Sequence, residues 1–175
     1  MFKNNLTDIL NSDNQDLVLY SGTFNPCHNW HFQVIRDAVK EQKFVIINPC
    51  DRNQEKINSN SPLEARKKWL YLWLLEYWLD NMPLVILDDI LYRTKPWSLD
   101  KKLYELNGRV SKIIGPDKNQ EAHPYPLIIW WDRVIGRSSS NIKRILKWWG
   151  SIEPLLEFMP RSVIKDIEVN QHTFR

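Results

Sequence analysis

The chain has 175 residues, 43% hydrophobic and 26% charged, which suits one domain with a buried core and excludes a disordered or fibrous protein. Lysine and arginine exceed aspartate and glutamate by 24 − 21 = +3, a mild excess that favours an anionic ligand and gives no case for nucleic acid. Two cysteines, Cys27 and Cys50, are too few for a disulfide scaffold and stand in no zinc-type spacing.

Residues 1–15 read as a polar extension, too acidic for a secretory leader. Residues 17–20 form a short apolar strand, and 30–41 have helical period with Phe32, Ile35 and Val39 inward. A second strand covers 44–47, ended by Asn48 and Pro49, and a polar loop runs from 50 to 61. Ser61 is placed to cap a helix, with Pro62 at its first position and Glu64 reaching back. That helix carries Trp69, Leu70, Trp73, Leu74, Tyr77 and Trp78 at i, i+3, i+4 spacing, the pattern of a core or interface face. The surplus tryptophan there permits a homo-oligomer.

A third strand is predicted over 83–87, a short helix over 98–107 with Gly108 as its stop, and strands over 110–115 and 127–131. Ser138 or Ser139 caps a helix to 149, and a last helix follows Pro160. Strands alternating with helices predict a Rossmann-like, doubly wound α/β fold with a mostly parallel sheet. One domain spans 1–175, with a small helical part over 138–175. The longest apolar run, 69–87, is broken by Glu76, Asp80, Asn81 and Pro83, so no membrane span and a cytoplasmic protein are expected.

Ligands of such sheets bind at the carboxyl ends of the strands. The loop after the first strand reads Ser21-Gly22-Thr23-Phe24-Asn25-Pro26-Cys27-His28-Asn29-Trp30-His31. His28 and His31 lie three residues apart across a helix start, where backbone N–H groups and the helix dipole favour an anion. Two such histidines are more often surface or capping residues, and no third ligand completes a metal set.

The whole string decides otherwise, because it resembles the signature G-x-F-x-P-x-H-x-G-H of the nucleotidyltransferase superfamily. Ser138-Ser139-Ser140-Asn141-Ile142-Lys143-Arg144 resembles its second motif, I-S-S-T-x-I-R. Pro49 to Lys56 with Ser61 to Arg66, Trp97-Ser98-Leu99-Asp100, Gly115-Pro116-Asp117 and the stretch from Ser151 to Glu168 resemble segments of the nicotinate and nicotinamide mononucleotide adenylyltransferases. Trp30 departs from the pattern, standing where the family has glycine.

The resemblance implies an enzyme that joins the AMP part of ATP to a pyridine mononucleotide and releases pyrophosphate. It implies that His28, His31 and Arg144 are catalytic. ATP would contact Ser21, Gly22, Thr23, Phe24, Gly115, Asp117, Ser138, Ser139 and Ser140 as well. The mononucleotide would meet Thr23, Asn25, Lys56, Arg66, Trp97 and Ser98. Mg²⁺ would ride on the ATP phosphates without a protein metal site. The alternatives are a phosphopantetheine or glycerol-phosphate nucleotidyltransferase, or a lapsed enzyme that only binds nucleotide.

Overall fold

Parallel strands covered on both faces need nearly continuous apolar sequence, and that requirement explains which segments pair. In the computed structural model β1 (Leu17–Gly22) lies at the centre, with β2 (Phe44–Pro49) on one side and β4 (Val110–Ile114) on the other. β3 (Leu84–Ile86) adds beyond β2 and β5 (Leu127–Ile129) beyond β4, giving the order β3-β2-β1-β4-β5 with every pairing parallel. Residues 16–50, 61–79, 81–87, 92, 95–107, 109–114, 127–129, 142–145 and 153–170 are described.

Strand alternation divides the core in two. Val18, Val45, Ile47, Leu84, Ile86 and Ile113 face one layer of helices. These are α1 (Asn29–Lys40), α2 (Leu63–Glu76) and α4 (Arg161–Val169), joined by the helical turn 142–145 through Ile142 and Ile145. Leu17, Leu19, Phe44, Ile46, Val85 and Val110 face the other side, where α3 (Pro96–Asn107) packs through Leu99 and Leu103. Crossovers β1-α1-β2-α2-β3 on one face and β3-α3-β4 on the other are what right-handed connections demand once the order reverses at β1. Among the described residues no helix is long and apolar enough to cross a membrane.

Several boundaries differ from the sequence expectation. β1 and β2 run two residues further, so Asn48 and Pro49 belong to β2 rather than ending it. α2 is capped by Pro62, not Ser61. Ser61 is held elsewhere, its N–H donating to Asn25 Oδ1 at 3.4 Å and its carbonyl accepting from Arg66 Nε at 2.9 Å. Glu64 pairs with Lys67 instead of reaching back.

α2 also stops at Glu76, because Trp78 takes a left-handed backbone (φ 58°) and is 84% exposed. Tyr77 and Trp78 therefore leave the core face that Trp69, Leu70, Trp73 and Leu74 keep. α3 begins two residues early, at Pro96, a residue that suits a first helical turn. That extension puts Trp97 on a helix rather than in a loop. A 3-10 helix over Glu153–Glu157, not anticipated, leads into α4. The caps at Gly108, Ser138 and Ser139 lie outside the described residues.

Candidate active site

The carboxyl end of β1 is where the strand order reverses, the place at which open parallel sheets bind their ligands. The path of that loop is set by packing. Phe24 takes a left-handed backbone (φ 48°), which turns its ring back over Gly22; a Cβ on Gly22 would lie 3.1 Å from the ring. The Phe24 ring then meets Tyr20 edge-on at 5.3 Å and His31 at 4.9 Å. The Asn25–Pro26 peptide is cis, and Cys27, next in the loop, is fully buried. Burial pushes the Cys27 thiol far above its ordinary range, against the lowering effect of a backbone hydrogen bond, so it stays protonated and inert.

Arg66 holds the loop from below. The side chain is 0% exposed; Nη1 donates to Thr23 O at 2.8 Å and Nε to Ser61 O. Its fork bridges the loop to the start of α2, a task that a lysine point charge cannot repeat. Cys50 N–H donates to Gly22 O at 2.8 Å, tying the chain after β2 to the end of β1. Asn48, buried at the end of β2, donates through Nδ2 to Tyr92 O.

His28 is the N-cap residue of α1 and His31 occupies the third helical position. Their rings stack at 3.8 Å with a 37° tilt. His28 N–H donates to Nδ1 of His31 at 3.1 Å, and His31 N–H donates to His28 O at 2.9 Å. An Nδ1 that accepts a hydrogen bond leaves the ring proton on Nε2, so His31 is held as a donor at its far nitrogen. A neutral Nε2–H donor at a helix N-terminus fits a phosphate oxygen and not a metal cation. Among the described residues no three His, Cys, Asp or Glu side chains gather as a cation site.

The structure thus brings Ser21, Gly22, Thr23, Phe24, Asn25, His28 and His31 together at one strand end, with Arg66 turned to the backbone beneath them. Ser21 is buried and its Oγ meets no hydrogen-bond partner among the described residues. Trp30 is partly buried in the first turn of α1. Arg144 is exposed on the helical turn 142–145, whose Ile142 enters the core beside α1 and α2. Trp97 is 64% exposed and Ser98 is half-buried, its Oγ donating to Lys95 O at 2.6 Å. Lys56, Gly115, Asp117, Ser138, Ser139 and Ser140 lie outside the described residues.

Two features of the site have no local sequence signal. Tyr20 walls the aromatic cluster from β1, its ring 6.1 Å from that of His31. Asn29 donates its backbone N–H to Phe158 O at 2.8 Å and its Nδ2 to Glu157 O at 3.0 Å. The nearer of those acceptors, Glu157, is 128 residues away, beyond any periodicity or motif.

Known structures can be set against this geometry. A Vibrio parahaemolyticus structure described as a nicotinate-nucleotide adenylyltransferase superposes with a TM-score of 0.63 at 17% identity, covering 87% of this chain and 97% of that one. The nicotinic acid mononucleotide adenylyltransferase of Plasmodium falciparum complexed with NaAD gives a TM-score of 0.68 at 16% identity over 93% and 99% of the two chains. The same protein complexed with APC gives 0.65 at 17% identity, with the same coverage. This chain has their fold. The agreement covers 87–93% of this chain and 97–99% of the others. No protein-family profile and no curated protein sequence matches the chain. That fits an identity at which three-dimensional likeness outlasts sequence likeness.

Proposed function

We propose that the chain is an adenylyltransferase that joins the AMP part of ATP to nicotinate or nicotinamide mononucleotide, giving deamido-NAD or NAD and pyrophosphate. The observation that carries this is the His28–His31 pair, stacked at the N-terminus of α1 beside the point where the strand order reverses. The two complexes of the similarly folded Plasmodium enzyme support it, one with NaAD and one with APC.

The reaction asks little of the protein beyond alignment and charge. A 5′-phosphate oxygen of the mononucleotide attacks the α-phosphorus of ATP in line. The new P–O bond forms as the bond to the bridging oxygen of the β-phosphate breaks, and pyrophosphate leaves with the electron pair. The attacking oxygen is already anionic, so no general base is needed. His31 donates from Nε2 to a non-bridging phosphate oxygen, where charge gathers in the transition state. His28 shares that role from the adjacent ring.

The loop backbone at Gly22 and Thr23, held by Arg66, borders the α-phosphate. Arg144 and the serines Ser138 to Ser140 bind the β- and γ-phosphates, and Lys56 neutralises the mononucleotide phosphate. Gly115 and Asp117 border the nucleotide from the end of β4, while Trp97 and Ser98 approach the pyridine side. Arg66 contributes by fixing the loop rather than by touching the substrate. Mg²⁺ brought in with ATP would supply further charge neutralisation.

The test is pyrophosphate release from ATP with each mononucleotide, with phosphopantetheine, with glycerol phosphate and with no acceptor. Release that depends on a pyridine mononucleotide is expected. Release only with another acceptor, or none at all, overturns the proposal.

A further inference from the structure

The first N–H groups of any helix lack intrahelical partners and must be satisfied from outside. In α1 the N–H of Asn29 is satisfied by Phe158 O, and its side-chain amide donates to the neighbouring carbonyl, Glu157 O. One residue thus grips two consecutive carbonyls at the end of the 3-10 helix, where carbonyls themselves lack helical donors. That turn is rigidly mounted. Phe158 and Met159 N–H both donate to Leu155 O at 2.9 Å, and Leu155 and Met159 are buried in the core.

The mounting continues into α4, which is pinned to α2 twice. Asp166 accepts from Trp69 Nε1 at 3.0 Å and pairs with Lys68, while Glu76 accepts from Ser162 N–H at 3.2 Å and from its hydroxyl. Asn29 closes this ring of contacts from α2 through α4 and the turn to α1. It does so between His28 and His31, whose mutual bond from His28 N–H to Nδ1 exists only while the first turn of α1 keeps its shape.

We propose that Asn29 is a positioning residue for the histidine pair. It locks the first turn of α1 to the carbonyls of Glu157 and Phe158 and so holds His31 with Nδ1 accepting and Nε2–H presented. This rests on the reading of His28 and His31 as phosphate-binding groups. The clamp itself is independent of the substrate, so the experiment reads both.

Asn29→Asp separates positioning from simple helix support. A carboxylate in the first turn favours the helix dipole but cannot donate to Glu157 O. Asn29→Ala removes the donor without adding charge, and Asn29→Gln keeps it on a longer arm. In the substrate-free protein, histidine-ring ¹⁵N shifts report the tautomer of His31, and thermal unfolding reports the fold. The wild type is expected to show the Nε2–H form alone. The Asp and Ala variants should show mixed tautomers, with the Asp variant melting close to the wild type.

In the pyrophosphate assay both should lose about tenfold or more in kcat with the KM for mononucleotide nearly unchanged, and Asn29→Gln should recover part of the loss. An Asp variant with the wild-type tautomer and kcat overturns the proposal. Altered ring shifts in a protein that never releases pyrophosphate would leave the clamp standing and overturn the reading of the reaction.

Discussion

Gly22 has no side chain because the Phe24 ring fills the space that one would need, three of its atoms lying 3.1–3.3 Å from an added Cβ. That ring is buried and wedged between Tyr20 and His31, so it has little room to withdraw. Gly22→Ala is expected to cost about 1–3 kcal/mol in urea unfolding, the usual range for overpacking. It should also move His31. Arg66 tests the same loop from below: Arg66→Lys keeps the charge but loses the fork that spans Thr23 O and Ser61 O. The lysine variant should therefore be about as unstable as Arg66→Met, by roughly 2 kcal/mol or more, since carbonyls are stripped of donors in both. A lysine variant as stable as the wild type would mean that charge, not geometry, is what the site needs. His31→Ala should leave circular dichroism unchanged and lower kcat by on the order of a hundredfold, about 3 kcal/mol of transition-state stabilisation.

At the scale of elements, α4 shows why helix type is readable from sequence while helix docking is not. Its start after Pro160 and its buried stripe of Val163, Ile164 and Ile167 follow from local pattern. What fixes it to α2 is a carboxylate at each end of the contact, Glu76 at the α4 N-terminus and Asp166 at Trp69, and neither pairing has any local signature. The Asp166–Lys68 ion pair is half exposed on the lysine side and contributes little, below about 1 kcal/mol. The bond to Trp69 is the stronger one, because the indole is fully buried. Asp166→Asn keeps an acceptor for Trp69 and should cost under about 1 kcal/mol, whereas Asp166→Ala strips it and should cost about 1–3 kcal/mol. Equal losses in thermal unfolding would show that the ion pair matters more than the indole bond. Ser61 is a failure of the same kind: it is a good cap by composition, but Asn25 and Arg66 engage its backbone, and Pro62 takes the cap.

For the whole molecule, the parallel sheet was legible because strand-length apolar runs alternate with helical period, and the right-handed crossover rule leaves few orders. The place of the candidate site was read from the loop after β1, and that loop does leave the sheet where the strand order reverses. The aromatic wall at Tyr20 and the support from Arg66 and Asn29 were not, because each depends on the strand end, the α2 start and the C-terminal turn meeting in space. That convergence buries both cysteines, Cys27 inside the loop and Cys50 just after β2, each at 0% exposure. With the Cys27 thiol held protonated by burial, a thiol reagent at pH 8 reacts only after the loop and its supports open. Labelling should therefore be slow in the native protein and rise to the free-thiol rate in denaturant. If ATP binds at His28 and His31, opening also expels the ligand. ATP at about 100 times its dissociation constant should then slow Cys27 labelling by about a hundredfold, the effect of roughly 2.7 kcal/mol of linked stability. Slow native labelling that ATP leaves unchanged would mean that the loop opens without disturbing the nucleotide, placing the triphosphate away from α1. Rapid labelling of Cys27 in the native protein would instead show that the loop is not anchored as Arg66 and Phe24 require.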